Sequence, residues 1–517
     1  MSQSISIDPV SRIAGHCHVD LELDGRTIRQ ASISGTMWRG IERVVVGRPV
    51  ADAWLYAQRI CGACAPAHAI ASIRATESAY GAEVAVNAQT IRNAIIAAHA
   101  VAEHVATFYQ RALPDWISTP ATLAVDPATA ASLARAIAPA TPVSELSMRR
   151  LQERLRADAA RGTSVPFRAG ASADLDPSHA LVLIAHAIEA RRAIRAAGSA
   201  IAMLAGKLPH IQSLAIGGVA TAISLDDPAT LSMTRMHALR GLFDDMLSFV
   251  GDLFMPDVVA LAAAMPAWLQ VRSRMTLLAL PDMPTDAAST TMTIPGGVLA
   301  PDSGFEAIDP VSVPALVARM TLTADRSDPV ARSVRLDGRP AEVGAAAQVL
   351  TARAAGHSQS ERWLRAAAAE LAGRGGPTLE PEMLQSPMGR HIARAIRAGI
   401  MAELGTREAS ALIERVGQGD TTIRIAPPSA ATGAKGIGHY ESPHGTLVHT
   451  LSVGDDAVEE YSVIAPDTWN IGPRGADRSA GPCEAALVGV ALRDASEPVE
   501  ALRTMQSFAP CMSCASA

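Results

Sequence analysis

The sequence has few cysteines, few aromatic residues and no excess of basic charge. Six cysteines in 517 residues are too few for a disulfide-stapled secreted protein. A net charge of -6 and a pI near 6.2 exclude the broad basic surface that nucleic acid or anionic lipid would require. Aromatic residues make up only 3% of the chain, although hydrophobic residues make up 49%. This composition suits a core of closely packed helices, and we expect no nucleic-acid partner.

The sequence also lacks a recognisable leader and a long apolar run. Its first residues, MSQSISIDPVSR, contain no basic segment followed by an apolar stretch. No run of about 18 or more apolar residues occurs elsewhere. We therefore expect a chain without its own export signal or membrane span. It would be cytoplasmic by default, and membrane-associated or periplasmic only if a partner subunit carried it.

Helical patterns occupy most of the middle of the chain. Apolar residues recur at helical spacing in five segments, which are Asn87 to Leu113, Ala180 to Leu208, Ser232 to Phe254, Glu361 to Gly373 and Met388 to Val416. Residues 281–301 and 425–438 are rich in proline, glycine, serine and threonine, so they read as loops or subdomain joints. The pattern predicts a bundle of long helices.

Two β-hairpins are predicted near the ends of the chain. The first alternates from His18 to Leu23, turns at Asp24-Gly25 and resumes at Thr27 to Ile33, and the second lies within Thr446 to Ile464. The expected fold is therefore mainly α with small β elements (α+β). We expect one large domain, 1–517, made of a hairpin with a first cysteine pair (1–86), a helical bundle (87–424) and a β and loop segment with a second cysteine pair (425–517).

Four of the six cysteines form two C-x-x-C pairs, Cys61 with Cys64 and Cys511 with Cys514. A thiolate is a soft ligand that selects zinc, copper(I), iron or nickel, and each pair can aim two sulfurs at one ion. The second pair lies at the end of the chain, so the tail must fold back to close such a site. The spacing leaves a four-cysteine zinc site and a redox disulfide open as alternatives, although zinc ribbons usually hold their pairs much closer together in sequence.

The residues around both pairs resemble the large subunits of nickel-iron hydrogenases. The N-terminal blocks are Met37-Trp38-Arg39-Gly40-Ile41-Glu42, Gly47-Arg48 and Gln58-Arg59-Ile60-Cys61-Gly62-Ala63-Cys64 followed by His68. The C-terminal blocks are Pro466-Asp467-Thr468-Trp469-Asn470, Gly472-Pro473-Arg474, Gly481-Pro482-Cys483-Glu484 and Ser507-Phe508-Ala509-Pro510-Cys511. The resemblance covers roughly the first 120 and last 90 residues and is weak in the helical middle.

The resemblance implies a nickel-iron centre held by all four cysteines, with the N-terminal and C-terminal segments forming the site jointly. Cys61 and Cys511 would bind nickel alone, while Cys64 and Cys514 would bridge to an iron that carries diatomic ligands. Such a site activates dihydrogen, and a terminal thiolate such as that of Cys511, or a nearby base, takes the proton. His68 would hydrogen-bond near a bridging sulfur.

Glu42 matches a carboxylate that binds magnesium near the C-terminus of related subunits, whereas by itself it would read as a solvated glutamate. Two alanines depart from the pattern around it. Ala517 stands at the place of a C-terminal histidine that would help to bind the magnesium. Ala14 stands where a glutamate would relay protons from a terminal cysteine. The side chain of alanine can neither bind magnesium nor relay a proton.

Further departures lie at the implied site itself. His444 replaces an arginine that would overhang the metals, and it could act as a substitute base, with Pro443 beside it lining the cofactor. Asp467 replaces a hydroxyl residue that would donate a hydrogen bond to an iron-bound cyanide. It must therefore be protonated, turned away or part of altered ligation. Ala509 replaces an aspartate before Pro510.

Glu103 stands for an aspartate near the site, and with Cys511 and His444 it is a candidate catalytic residue. His99 lies one turn earlier on the same helix face. Because the metal-binding cysteines are intact while several proton-handling residues are replaced, the sequence supports metal binding more firmly than turnover. A solvated helix face is the alternative for His99 and Glu103.

Electrons must leave through a partner, because only Cys17 and Cys483 remain outside the two pairs, too few for an iron-sulfur cluster. The resemblance implies an iron-sulfur small subunit. It also implies maturation proteins, since family precursors are usually cleaved after cofactor insertion. The chain ends three residues beyond Cys514, so we expect either the processed form or a gene without the extension. The alternatives to an enzyme are a hydrogen sensor, a maturation-type relative and a plain zinc scaffold.

Overall fold

Helices dominate the computed structural model, which describes residues 2–35, 39–161, 174–225, 227–325, 328–474 and 479–515. The α-helices are α1 (Ile41–Val45), α2 (Ala53–Ala57), α3 (Ala65–Tyr80), α4 (Val86–Ala106), α5 (Thr119–Thr122), α6 (Pro127–Ile137), α7 (Glu145–Ala160), α8 (Pro177–Ala205), α9 (Met233–Phe249), α10 (Met255–Ala264), α11 (Val313–Ala318), α12 (Ala345–Ala354), α13 (Ser358–Gly373), α14 (Pro387–Gly417), α15 (Pro466–Asn470), α16 (Pro482–Leu487), α17 (Val499–Ser507) and α18 (Met512–Ala515).

The strands form several small sheets rather than one large one. They are β1 (Ser2–Ile7), β2 (His18–Asp24), β3 (Thr27–Ser34), β4 (Leu214–Ala215), β5 (Gly218–Val219), β6 (Thr276–Ala279), β7 (Asp282–Pro284), β8 (Met292–Ile294), β9 (Gly296–Ala300), β10 (Gly304–Ile308), β11 (Met320–Asp325), β12 (Asp328–Leu336), β13 (Ala341–Glu342), β14 (Lys435–Ser442), β15 (Gly445–Val453) and β16 (Val458–Ile464). The fold is therefore α+β and mainly helical, as the sequence predicts.

The long helices pack around α14, which contacts α4, α9, α10, α12 and α13. The Ser386 hydroxyl caps its first turn by accepting from the Gly389 N–H, and Pro387 suits the first helical position. The five helical segments predicted from periodicity are confirmed, as α4, α8, α9, α13 and α14. Two of them continue as π-helix, at Thr107–Ala112 after α4 and at Val250–Phe254 after α9.

The prediction of a helical bundle throughout residues 87–424 is wrong between β6 and β13. That stretch forms short strands, including an antiparallel β10-β9-β6 sheet that β13 joins in parallel. Strands of two to five residues here carry apolar runs such as TLLA and GGVLA, whose periodicity is too short to distinguish a strand from a buried helix. The loops predicted at 281–301 contain β7, β8 and β9.

Both predicted hairpins are confirmed, and each gains a strand. β2 and β3 pair antiparallel, with β1 on the other side of β2. β15 and β16 pair antiparallel, with β14 added along β15. β14 lies against α3, so the C-terminal sheet rests on the helix that follows the first cysteine pair.

The tail closes onto the N-terminal sheet through backbone hydrogen bonds. The Ile28 N–H donates to the Val490 carbonyl at 2.9 Å, and the Gly489 N–H donates to the Ile28 carbonyl at 2.8 Å. Further along, Ala14 bridges in parallel to Cys511, and its carbonyl accepts from the Ser513 N–H at 3.1 Å. These contacts bring the last residues back to the beginning of the chain.

One helical run among the described residues, Met233–Ala264, is long and apolar enough to cross a membrane by length and composition alone. Within its most apolar window 67% is buried inside the fold. It packs against α8 and α14, as a core helix does, and a single run of this kind is weak evidence for a membrane span. The expected absence of a span stays a prediction.

Two glycines allow β14 to approach α3. A Cβ on Gly438 would overlap the Ala71 carbonyl and the Ala75 nitrogen, and a Cβ on Gly436 would overlap the Ala75 carbonyl. The overlapping atoms belong to the helix backbone and cannot rotate away. Glycine is therefore required where this strand crosses the helix.

We predict that Gly438→Ala destabilises the protein by about 3 kcal/mol or more, because it forces β14 away from α3. The midpoint of thermal unfolding measures the effect. Gly454→Ala is the matched control, since its Cβ would meet the Ala457 carbonyl at an ordinary 3.7 Å. Equal unfolding midpoints in the two variants would contradict the proposed close approach.

Candidate metal centre

Each cysteine pair lies at the start of a helix. Cys61 follows the short 3-10 turn Gln58–Ile60 in an extended conformation, and Cys64 immediately precedes α3. The Cys64 N–H points at the Cys61 sulfur, 3.3 Å away. In the second pair, Cys511 precedes α18 and its carbonyl accepts from the Cys514 N–H at 2.9 Å. Both turns therefore aim two sulfurs to the same side.

The four sulfurs form one buried cluster in which all lie within 4.8 Å of one another. The Sγ–Sγ distances are 3.4 Å for Cys61 with Cys511, 3.0 Å for Cys64 with Cys514 and 3.2 Å for Cys511 with Cys514. A disulfide bond needs about 2.05 Å, so these thiols are not bonded to one another. The predicted meeting of the two pairs is confirmed.

The donor set fits soft metal cations. Hydrogen bonds from Cys511, Cys514 and Cys64 lower the pKa of the Cys61 thiol, while burial raises the pKa of Cys64 and of Cys514. Holding all four as thiolates at this spacing requires compensating positive charge, which metal cations supply.

His68 lies against the second cysteine pair. Its Nε2 is 3.4 Å from the Cys514 sulfur, and its Nδ1 is 3.0 Å from His449 Nε2. His449 Nδ1 is in turn 2.6 Å from the Tyr461 hydroxyl, which donates to Ser72 at 2.7 Å. Burial lowers the pKa of His68 to about 4 and that of His449 well below its ordinary value. A buried hydrogen-bonded chain therefore fixes the orientation of the imidazole that faces the sulfur.

His444 and Glu103 meet beside the cluster. His444 Nδ1 is 2.8 Å from the Ala509 carbonyl, and Nε2 is 3.6 Å from Glu103 Oε2. Arg111 donates to the same carboxylate oxygen at 2.9 Å. Burial acts to raise the pKa of Glu103, but Arg111 and His444 lower it to about 2. Burial opposes charge on His444, yet Glu103 raises the pKa of the imidazole.

The alternative of a solvated face for His99 and Glu103 is wrong, because α4 turns this face inward. His99 is 3% exposed, and its Nε2 is 3.1 Å from the Ala63 carbonyl, between the cysteines of the first pair. The Glu103 side chain is 12% exposed.

Asp467 faces the second pair from the start of α15. Its Oδ1 accepts from the Cys511 N–H at 2.7 Å, while Oδ2 is buried without a hydrogen-bond partner in the described structure. Burial raises the pKa of this carboxyl group to about 6. The sequence leaves three possibilities for Asp467, which are a protonated carboxyl group, a carboxylate turned away from the site and altered ligation. The hydrogen bond from the Cys511 N–H excludes the second.

The alanines at positions 14 and 509 contribute their backbones. The Ala14 carbonyl accepts from the Ser513 N–H, and the Ala509 carbonyl faces His444. Ala509 has a left-handed φ of 55°, which is uncommon for a residue other than glycine. Ala517 lies outside the described residues.

The turn between β14 and β15 carries Pro443 and His444, both buried. Glu441 holds this turn by accepting from the Leu280 N–H at 2.8 Å, from the Thr446 hydroxyl at 2.7 Å and from the Gln348 amide at 3.0 Å. Burial raises the pKa of Glu441 to about 7. The position of His444 therefore depends on a buried carboxyl group three residues away.

Glu42 does not fit the magnesium role that the resemblance implies. Arg332 donates to both of its carboxylate oxygens, at 2.8 and 2.6 Å, and the Val463 N–H donates to Oε1 at 2.7 Å. Magnesium needs nearly octahedral oxygen ligands at about 2.1 Å. A guanidinium group already occupies the carboxylate face that such an ion would use.

Several residues at the site were not singled out from the sequence. Arg111, His449, Tyr461 and Arg332 lie in helical or strand patterns that carry no local sign of their partners. Arg39 belongs to one of the family motifs, but the sequence predicts no role for it. Its guanidinium group donates to the carbonyls of Ile60 and Ser513 and so joins the two cysteine segments. The motif that contains Arg39 was the one usable signal.

The other two cysteines lie elsewhere. Cys17 and Cys483 are buried in the apolar cluster between the N-terminal sheet and the tail. Burial raises the pKa of Cys17 to about 12 and that of Cys483 well above its ordinary value. Both behave as small apolar core residues rather than as ligands.

The known proteins that this chain resembles in sequence are hydrogenases, which agrees with a metal site made of four cysteines. The family model described as nickel-dependent hydrogenase matches residues 39–327 and 317–516. The hydrogenase-2 large chain of Escherichia coli K12 is 35% identical over 550 aligned residues, which cover 100% of this chain and 97% of that protein. The uptake hydrogenase large subunit of Bradyrhizobium diazoefficiens is 29% identical, covering 99% of this chain and 94% of its own length.

The fold has solved counterparts. The Ni-Fe-Se hydrogenase from Desulfovibrio vulgaris Hildenborough in the reduced state superposes with a TM-score of 0.78 at 22% identity, covering 100% of both chains. The reduced, active Ni-Fe-Se hydrogenase from Desulfomicrobium baculatum gives 0.76 at 23% identity, again over 100% of both. At these identities the solved structures show a shared fold.

We predict that stability falls as the pH rises through the titration of Glu441. Since its pKa is raised from 4.5 to about 7, its contribution is full below 4.5 and is lost above about 7. Glu441→Gln should flatten the pH dependence of the thermal unfolding midpoint across that window. Glu459→Gln, an exposed change on β16, is the control. The same slope in wild type and Glu441→Gln would contradict the prediction.

Proposed function

The chain belongs to the nickel-dependent hydrogenase family, as a nickel-iron hydrogenase large subunit that acts on dihydrogen, and we propose how its own residues carry this activity. The observation that carries the proposal is the buried cluster of four cysteine sulfurs. In the proposed arrangement the four cysteines would hold the nickel-iron centre, with Cys61 and Cys511 as ligands of nickel alone and Cys64 and Cys514 as ligands shared with iron.

The bound centre would supply the redox and Lewis-acid chemistry that breaks or forms the H–H bond, with diatomic ligands on the iron. His68, in contact with Cys514 Sγ, would tune one bridging sulfur, and the hydrogen-bonded chain behind it would keep it in place. Asp467 has a free buried oxygen and a raised pKa, so in its protonated form it could donate a hydrogen bond into the cofactor pocket. Pro443 would form part of the apolar wall.

His444 is the proposed base, together with the Cys511 thiolate. The Ala509 carbonyl faces Nδ1, so Nδ1 carries the proton of the neutral imidazole and Nε2 is free to accept another. A proton taken at Nε2 produces an imidazolium beside Glu103, 3.6 Å away. Because Arg111 keeps Glu103 ionised, Glu103 stabilises the charged histidine and acts as a positioning residue.

Electrons would leave through an iron-sulfur small subunit. Within the described residues the four-cysteine group stands alone as a cluster of candidate metal ligands, so a further redox centre needs another chain. α1 and α2 pack together, and α2 leads to the first cysteine pair; Val44 on α1, Val46 just after α1 and Leu55 on α2 are exposed. Exposed apolar side chains so near the metal site suit a docking surface for that partner.

Two further proposals concern assembly and location. Because the tail closes over the buried sulfurs, metal must enter before closure, which is a task for maturation proteins. We propose a cytoplasmic location, with any placement at a membrane or in the periplasm coming through the partner subunit.

Metal analysis and infrared spectroscopy of the complex of large and small subunits test the proposed centre. We expect nickel and iron together, and sharp bands from iron-bound diatomic ligands. Replacing Cys64 by Ser should remove both metals and the bands. Zinc alone in the wild type would contradict the centre. Absence of hydrogen-dependent dye reduction by a loaded complex would contradict the catalytic roles and favour a sensor.

We predict that His444→Ala lowers hydrogen turnover by about 10²–10⁴-fold while nickel is retained, since it removes the proton acceptor. Glu103→Gln should instead lower the pKa of His444, so that the base stays neutral at more acidic pH. The acid limb of the pH profile for hydrogen oxidation should then move to lower pH.

The control is His237→Ala, an exposed histidine on α9. Wild-type turnover in His444→Ala would end its role as base. An unmoved acid limb in Glu103→Gln would end the positioning role of Glu103.

A further inference from the structure

Glu42 and Arg332 form a forked ion pair next to the chain's C-terminal tail. Glu42 lies on α1 and Arg332 on β12, and each carboxylate oxygen accepts from one nitrogen of the guanidinium group. The Val463 N–H on β16 adds a third donor to the carboxylate. The two side chains are 11% and 19% exposed, so the pair is largely withdrawn from water.

The pair ties together three elements that meet near the metal centre. Glu42 belongs to α1, the first helix of the chain, which precedes the first cysteine pair, and Val463 belongs to the strand that leads into α15 and Asp467. Arg332 lines a small cavity with Asp467, Met512 and Ala515, the last two on the helix that carries Cys514. The positively charged guanidinium group of Arg332 therefore lies beside the last helix of the chain.

A divalent ion at this carboxylate would have to compete with the guanidinium group for the two oxygens. Arg332 and the Val463 N–H already donate three hydrogen bonds to Glu42, and a second cation within a few ångströms of Arg332 would be repelled in this poorly solvated setting. Planar, two-point contact is the geometry in which arginine binds a carboxylate best. At the other end of the implied ion site, the methyl side chain of Ala517 cannot replace the imidazole ligand that the resemblance implies.

We propose that Arg332 takes the place of a divalent cation at Glu42, so that closure of the tail over the metal centre depends on a side-chain cation. The chain then needs no magnesium at this position. Metal chelators that spare the thiolate-bound centre leave the tail closed, and the ion pair contributes stability at any magnesium concentration.

The first experiment uses the wild-type complex of large and small subunits. It is dialysed against EDTA, analysed for magnesium, nickel and iron, and heated with and without added magnesium. We expect nickel and iron to be retained, magnesium to be substoichiometric and the unfolding midpoint to be insensitive to magnesium. Stoichiometric magnesium that EDTA removes, with a fall in the midpoint, would overturn the proposal. Absence of nickel and iron would instead contradict the proposed metal centre.

The second experiment is a double-mutant cycle on the same complex. Arg332→Ser and Glu42→Gln should each lower the unfolding midpoint, by about 2–5 °C, and the double variant should fall no further than either single variant. Arg319→Ser is the matched control, because Arg319 forms a similar fork with Asp337 at an exposed site.

Additive losses in the double variant, or a loss in Arg332→Ser no larger than in Arg319→Ser, would overturn the proposal. If Arg332→Ser fails to fold, the magnesium content and chelator response of the wild type decide the question alone.

Discussion

The return of the chain's last residues to its first cysteine pair is the constraint on which the structure depends. Four buried sulfurs must lie within 4.8 Å of one another, yet they come from opposite ends of the sequence. The hydrogen bonds of Ile28 to the tail and the Arg39 contacts to Ile60 and Ser513 all hold those ends together. The helices around α14 provide a rigid body against which both ends are placed.

Local signals were enough to predict much of this arrangement. The C-x-x-C pairs are short-range motifs whose chemistry is carried by residues next to one another, so Cys61, Cys64, Cys511 and Cys514 could be grouped from the sequence. Periodicity over several turns identified α4 and α14 for the same reason. The partners of Glu42 and Glu103 could not be found in this way, because Arg332 and Arg111 read as ordinary strand and helix residues until the chain is folded. Strands as short as β6 and β9 also carry too little pattern to be recognised.

Charge around the centre is arranged in matched buried pairs. Glu103 faces Arg111 and His444, and Glu42 faces Arg332, so each of these two carboxylates has a basic side chain beside it. Asp467 and Glu441 are the exceptions, and burial raises the pKa of each. Arg111 and His444 lower the pKa of Glu103, so that it keeps its charge, whereas Asp467 and Glu441 can hold a proton near neutral pH. The two kinds of carboxyl group can therefore serve different purposes within one site.

The tail is held at position 14 by a carbonyl oxygen rather than by a side chain. Every amino acid carries that oxygen, so the identity of residue 14 can drift during evolution while the two ends of the chain remain joined. The backbone hydrogen bond that holds the tail therefore places no requirement on the side chain at position 14. A lineage could lose or regain a proton-carrying side chain here in a single substitution, without any change in the cluster of four cysteine sulfurs.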